Sequence, residues 1–338
     1  MKFNRIDKVI LFGGAPLLAA TARYLKENGP PVRIYTSPRH VAEPLDASGT
    51  TLGQTLESLG LPFVSTDDIN SEKTLPAEIT AGTLGLGMGE AWSFSPEIIK
   101  KFDGRLLDFM GIPHPRYRGG AHYTWMLLRG DRQGGCNLQV INDAMVQGEY
   151  DDGEIVKSSR YQFPATARTP MDYFAAAVPN EVAFIREFLD EAKAGKDFDL
   201  RKPDESQSMF LPRLHTLTHG WIDWSWSGRD IERFICAFDD PYAGASTRLG
   251  GVRVHLKGAT LDDSEPAFHP FQSGLVTRCT PAEGFVIATT SGHLKVRTIT
   301  ASKGEHLERP PQIGDRLFTP AADRDAALNV RVSYGSKK

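Results

Sequence analysis

The sequence predicts an α/β fold. An open, mostly parallel sheet with helices on both faces is followed by a small β-barrel. Two observations carry this prediction. Compact apolar runs alternate with helix-like stretches through the first part of the chain, the order expected when helices cross over between parallel strands. From Leu249 onward, short strands separated by Gly, Asp and Ser turns replace that alternation, which suits a barrel. A chain of 338 residues is long enough for two domains with separate cores, and the expected division is 1–200 and 201–338.

The elements follow in order. Residues 8–12 form an apolar run closed by Gly13-Gly14, as a buried strand would be. Pro16 fits the first turn of a helix that runs to about Asn28 and stops at Gly29-Pro30. Residues 31–36 read as a strand, 51–59 as a helix, and 62–65 as a short strand. A further strand covers 83–87, a helix lies near 96–101, and a strand covers 105–110. The Gly13-Gly14-Ala15-Pro16 turn lacks the Gly-x-Gly-x-x-Gly spacing, so NAD(P) binding is rejected. A helix begins near Gly120 and continues through 124–128, and strands are expected at 137–141 and 154–156. Residues 171–194 form a long amphipathic helix with Pro179 as a candidate break, and the polar stretch 193–208 suits a linker. The barrel strands are expected at 252–256, 274–277, 284–289 and 293–298.

Composition narrows the function classes. The hydrophobic fraction of 40% and charged fraction of 24% are those of an ordinary soluble globular protein. A net charge of -3 gives no general reason to expect nucleic-acid binding. Cys136, Cys236 and Cys279 are far apart, so neither a zinc site nor a disulfide framework is indicated. There is no signal-peptide pattern and no apolar run long enough to span a bilayer, so a cytoplasmic enzyme without a membrane partner is expected.

Four motifs then stand in order. Asp108-Phe109-Met110-Gly111 leads into Pro115-Arg116-Tyr117-Arg118-Gly119-Gly120, and Tyr150-Asp151-Asp152-Gly153-Glu154-Ile155 follows. Gly220-Trp221-Ile222-Asp223-Trp224 comes next, and a helical segment at 231–238 ends in Pro241-Tyr242-Ala243-Gly244-Ala245. In this order they resemble the folate-dependent formyltransferases, the family of methionyl-tRNA formyltransferase and the sugar N-formyltransferases. The resemblance runs from about residue 8 to about residue 300, and Pro-Tyr-x-Gly-Ala is closer to the sugar enzymes. It implies a Rossmann-like catalytic domain, an OB-like C-terminal domain, 10-formyltetrahydrofolate as formyl donor and no metal. One departure matters. Where the family has Asn-x-His, this chain has Asp108-x-Met110.

Formyl transfer to an amine is an acyl transfer. Negative charge develops on the formyl oxygen, the amine must lose a proton, and the folate nitrogen must gain one. By resemblance Asp151 takes the family's proton-shuttle position; the alternative is a solvated acidic turn. A one-residue shift would exchange it with Asp152, which is otherwise expected near the cofactor. Asp108 accepts hydrogen bonds when ionised and donates only when protonated, while Met110 does neither well and reads as packing. A replacement donor is then needed. His122, opening the helix after Gly119-Gly120, is the first candidate, and His114 in the preceding loop is the second. Arg116 and Arg118 flank Tyr117 in a Gly-bounded loop, and their forks suit a substrate phosphate or carboxylate, or a structural acid, Arg118 being the more structural. Gly119 and Gly120 belong to the same substrate loop. Met88, Gly89 and Trp92 occupy the family's folate loop, with Trp92 equally suited to a core. Arg213, by resemblance, faces the acceptor.

The resulting expectation is an N-formyltransferase acting on a small-molecule primary amine, that of a nucleotide-linked amino sugar. One rival is a folate- or nucleotide-binding homologue without transfer activity. Another is transfer to the aminoacyl end of tRNA, against which the acidic balance and the absence of a basic run in the tail argue. The barrel is left with three roles: substrate binding, contact with a second subunit in a homodimer, or bracing.

Overall fold

A computed structural model describes the chain apart from residues 4, 46–47, 143–152, 265, 304 and 333–338. It divides into two compact units. The first contains residues 1–118, 133–162 and 177–209; the second contains 119–132, 163–176 and 210–338. The second unit therefore takes in two segments that precede residue 200. Among the described residues no helix is long and apolar enough to cross a membrane.

The first unit is built on seven strands: β1 (Lys8–Gly13), β2 (Val32–Thr36), β3 (Phe63–Ser65), β4 (Thr83–Met88), β5 (Leu106–Met110), β6 (Gln133–Val140) and β7 (Ile155–Gln162). Their order in the sheet is β3-β2-β1-β4-β5-β6-β7. The first five are parallel, and β6 and β7 extend the sheet antiparallel. Alternate residues sort to opposite faces. Val9, Leu11, Leu84, Leu86, Leu107 and Leu138 pack against α1 (Ala15–Asn28) and α7 (Pro170–Lys193) through Leu18, Ala22, Phe184 and Phe188. Ile10, Phe12 and Leu106 pack against Ile98, Ile99 and Phe102 of α5 (Pro96–Phe102) on the other face.

Pro16 sits in the first turn of α1, and a Thr51–Gln54 capping box starts α3 (Leu52–Ser58). Two expectations are corrected. Strand β6 starts at Gln133 rather than 137, with Gly134 and Gly135 inside the strand. A Cβ on Gly134 would stand 2.4 Å from the Tyr161 ring, and one on Gly135 would stand 2.8 Å from the Ile112 carbonyl oxygen, so close approach requires both glycines. Pro179 does not break α7, which runs unbroken over Pro170–Lys193.

The strand order reverses between β1 and β4, and open α/β sheets place ligands in the crevice outside such a point. Gly13 makes this junction. Its φ is +121°, a Cβ there would stand 2.3 Å from the Met88 carbonyl oxygen, and the following Gly14 N–H donates to that oxygen at 3.1 Å.

The second unit carries the barrel. Its six strands are β8 (Ala245–Leu249), β9 (Val252–Asp262), β10 (Val276–Thr280), β11 (Gly284–Thr289), β12 (Gly292–Ala301) and β13 (Leu317–Phe318). They run in the order β10-β11-β12-β9-β8-β13, all antiparallel. The sheet curls shut where Leu317 N–H donates to Gly274 O and Val276 N–H donates to Asp315 O, both at 2.8 Å. Trp221, Trp224 and Trp226 pack within this unit. Arg253 stacks 4.1 Å from the Trp221 ring, Trp224 Nε1 donates to Thr247 Oγ1 at 2.9 Å, and Trp226 meets Phe234 at 5.1 Å.

Replacing Gly13 by Ala is expected to destabilise the protein by roughly 2 kcal/mol or more, because the new methyl meets backbone that cannot move away. Gly89 also has a left-handed φ of +67°, but nothing lies within 4 Å of its Cβ position. Gly89→Ala should therefore cost only about 1 kcal/mol. Urea denaturation of both variants checks this; equal losses would refute the steric account of the β1–β4 junction.

Candidate active site

The site is built from the end of β5. Asp108 and Met110 lie two residues apart and share one face of the sheet, the face covered by α5. The antiparallel register sets Gln139 opposite Asp108 and Asn137 opposite Met110. Gln139 is fully buried. Its Nε2 donates to Asp108 Oδ2 at 3.1 Å and reaches Met110 Sδ at 3.5 Å, while its Oε1 has no partner among the described residues. Sequence reasoning missed Gln139, since only the register between β5 and β6 reveals what faces Asp108.

The same face continues into the loop after β5. Asn137 Nδ2 donates to Ile112 O at 2.6 Å. Arg160 donates to Asn137 Oδ1 at 3.3 Å and to His114 O at 2.7 Å. Arg118 grips Glu205 with both arms, at 2.7 and 3.0 Å, and Ser208 Oγ at 2.9 Å. This pair pulls the Glu205 carboxyl below its ordinary range. Arg118 thus takes the structural role left open above. His114 is buried, with Nε2 3.4 Å from Arg118 Nη2. Burial, then Arg118, pushes its pKa down to about 4, so the ring is neutral at physiological pH. Arg116 is half-buried, and its Nε has no partner among the described residues.

Behind the loop lies a buried carboxyl. A Cβ on Gly111 would stand 2.5 Å from Glu181 Oε1. Burial pushes Glu181 up to about 7, and burial together with Glu181 pushes the Cys136 thiol up to about 12.

The loop after β4 borders the crevice. The Met88 side chain is buried in the core, while Gly89 is exposed. The Glu90 carboxylate covers Gly87, with its oxygens 2.7 and 2.8 Å from the position of a Cβ there. Trp92 donates to Asp67 O at 3.1 Å and packs partly against the core.

The other expected residues lie elsewhere in the description. Gly119, Gly120, His122 and Arg213 belong to the second unit. There Gly120 packs against Arg213, whose Cα and Cβ would lie 3.0 Å from a Cβ at that glycine. His122 opens α6 (His122–Arg129) with its ring 4.3 Å from that of Tyr123. Although the residue keeps some exposed surface, its ring is surrounded by protein, and this pushes its pKa down to about 4. Asp151 and Asp152 lie outside the described residues. Among the described residues, no three or more His, Cys, Asp or Glu side chains are grouped to hold a metal.

The family described as formyl transferase, C-terminal domain, matches residues 216–309. The methionyl-tRNA formyltransferase of Roseiflexus sp. (strain RS-1) is 27% identical over 303 residues, spanning 85% of this chain and 84% of that protein. Among solved structures, the N-formyltransferase from Helicobacter canadensis aligns with a TM-score of 0.64 at 14% identity, over 87% of this chain and 100% of that one. WlaRD, a sugar 3N-formyltransferase, aligns with a TM-score of 0.62 at 14% identity, over 88% of this chain and 98% of that one. These similarities support the formyltransferase superfamily for this chain. It is a transferase with a Rossmann-like sheet and a C-terminal barrel-like domain. One amide from the neighbouring strand, that of Gln139, bridges Asp108 and Met110 on β5.

Glu181 gives this unit a pH dependence of definite sign. Its folded-state pKa of about 7 lies above the ordinary 4.5, so its contribution to stability is fully present below 4.5 and is lost as pH rises through 7. Glu181→Gln mimics the protonated form. It should match wild type near pH ~4 and exceed it by about 3 kcal/mol at pH ~8. Denaturation of both proteins across this range tests it; a constant difference would mean that folding leaves the pKa of Glu181 unchanged.

Proposed function

We propose that this formyltransferase moves a formyl group from 10-formyltetrahydrofolate to the primary amine of a nucleotide-linked amino sugar. The observation that carries this reading is the end-to-end alignment with the Helicobacter canadensis enzyme, which was solved with folinic acid and dTDP-3-aminofucose. WlaRD, solved with dTDP and 5-N-formyl-tetrahydrofolate, supports it in the same way. Two features of the chain support a donor at the end of the sheet. Open space at the Gly89 Cβ position leaves the backbone after β4 accessible at the crevice, and Asp108 and Met110 are partly exposed on the adjoining strand. An acidic balance of 42 carboxylates against 39 Lys and Arg suits a small acceptor better than a polyanion.

A second reading takes methionyl-tRNA as acceptor. It is favoured by the Roseiflexus relative, which is a methionyl-tRNA formyltransferase.

Calorimetry with folinic acid, followed by transfer assays with dTDP-3-aminofucose and with methionyl-tRNA, separates the readings. Micromolar folinic acid binding and salt-tolerant release of tetrahydrofolate with the sugar nucleotide are expected. Salt-sensitive transfer to tRNA alone would move the function to the second reading. Failure to bind folinic acid would remove both.

A further inference from the structure

We infer that Gln139 is a positioning residue that holds Asp108 as a carboxylate, and that Asp108 carries the proton which formyl transfer must move. The inference rests on the formyl-transfer reading above and assigns a role that the family's amide at this position cannot perform.

The geometry comes first. Gln139 stands directly opposite Asp108 in the β5–β6 register, is fully buried, and presents its NH2 group to both Asp108 Oδ2 and Met110 Sδ. Turned over, the amide would set Oε1 against the carboxylate, which is favourable only if Asp108 carries a proton. In the observed orientation the Oε1 atom is left without a partner among the described residues, and Asp108 is an acceptor. An N–H donor on a carboxylate favours its charged form. Asp108 also needs that help. Its register partner on β4 is Gly87, and the Glu90 carboxylate lies over Gly87 on the same face. Like charge on the same face opposes ionisation. Of the other described groups on this face, Met110 on β5, Asn137 beside Gln139 on β6, and Ile98, Ile99 and Phe102 on α5 are neutral, while the Arg160 guanidinium on β7 reaches Asn137 Oδ1 at 3.3 Å and its positive charge favours the carboxylate.

The chemistry then follows. In the transfer, a bond forms between the amine nitrogen and the formyl carbon, and the bond from that carbon to N10 of the folate breaks. One proton leaves the amine and one arrives at N10. An Asn amide donates hydrogen bonds but does not take up a proton at neutral pH, whereas a carboxylate does both parts of the relay. Asp108 accepts the amine proton and returns it to N10, ending as it began. No oxidant or further reactant is required.

Two arms test the inference. The first needs neither donor nor acceptor. The carboxyl carbon of Asp108, labelled with carbon-13 and assigned by its loss in D108N, is titrated by NMR in wild type, in Q139M and in Q139N. Q139M keeps the volume and removes the donor. Q139N keeps a buried amide but shortens its reach, so one of the two remains informative if the other fails to fold. The expected result is an ionised Asp108 at neutral pH in wild type and a midpoint moved toward neutral in the variants. An unchanged midpoint overturns the role of Gln139. The second arm measures transfer to dTDP-3-aminofucose, methionyl-tRNA and hydroxylamine. D108N installs the family's own amide. It should lose about 100-fold or more in kcat, the usual contribution of a proton-transferring group, with folinic acid affinity retained. Activity kept or raised in D108N overturns the role of Asp108. In Q139M the acid limb of the rate profile should move to higher pH, which a purely structural residue would not cause. A wild type that transfers to none of the three acceptors is the failure of the formyl-transfer reading, and with it of the proton relay; the NMR arm still decides Gln139 separately.

Discussion

The antiparallel register of β5 and β6 is the constraint on which the site depends. It places Asp108 opposite Gln139 and Met110 opposite Asn137 on one face, with Phe109 opposite Leu138 on the other. A slip of one residue would exchange the two sets, sending the polar groups into the core and the apolar ones into the crevice. The apolar face prevents this. Leu107 and Leu138 are fully buried, and the Phe109 ring lies 6.2 Å from Phe184 on α7. Large side chains in such cores typically contribute about 3–5 kcal/mol each against truncation. The register is therefore held by the face that does no chemistry, which leaves the other face free to vary.

The loop that follows β5 shows how a polar segment is buried without leaving its charges exposed to an apolar surround. Arg160 takes the His114 carbonyl, Asn137 takes that of Ile112, and Glu205 neutralises Arg118. His114 lies beside Arg118 and receives the field of Arg160, so an imidazolium there would add a third positive charge to a dry region. Its low pKa follows first from burial and then from that crowding. The loop is held by these hydrogen bonds together with the buried Ile112 and Tyr117 side chains.

Much of this architecture could be read from the residues alone. Gly13-Gly14, Pro16 and Gly29 mark the first strand, turn and helix, and the alternation of apolar runs places β1 to β5 and α1, α3 and α5 close to their observed bounds. The change to short strands marks the barrel. The failures share a cause. The expected start of β6 falls at 137 because composition does not show Tyr161 and Ile112 pressing on Gly134 and Gly135. Strand β8 and the short β13, which closes the barrel, carry too little periodic signal to stand out. Arg118 was legible as a charge that wants a partner, but Glu205 is 87 residues away. Gln139 was invisible for the same reason. Its meaning is set by which residue stands opposite, and register belongs to the folded sheet.

Replacing Asn and His by Asp and Met on β5 looks at first like the loss of a catalytic centre. The sheet suggests a different view. Neighbouring strands in register present their side chains to the same space, so a functional group that leaves one strand can be answered from the next. By the resemblance of Asp108-x-Met110 to the family's Asn-x-His, the amide missing from β5 is answered by one on β6, opposite Asp108. The exchange is not neutral. An amide on β5 would face the reacting atoms as a donor, whereas an amide on β6 faces a carboxylate and makes that carboxylate the group in front. On the proposed reading, the hydrogen-bonding inventory of the site is largely kept while its polarity is reversed. A centre that stabilises charge on the formyl oxygen through side chains of β5 becomes one whose β5 carboxylate manages the proton, and stabilisation of the oxygen must then come from elsewhere, such as backbone N–H groups at the crevice.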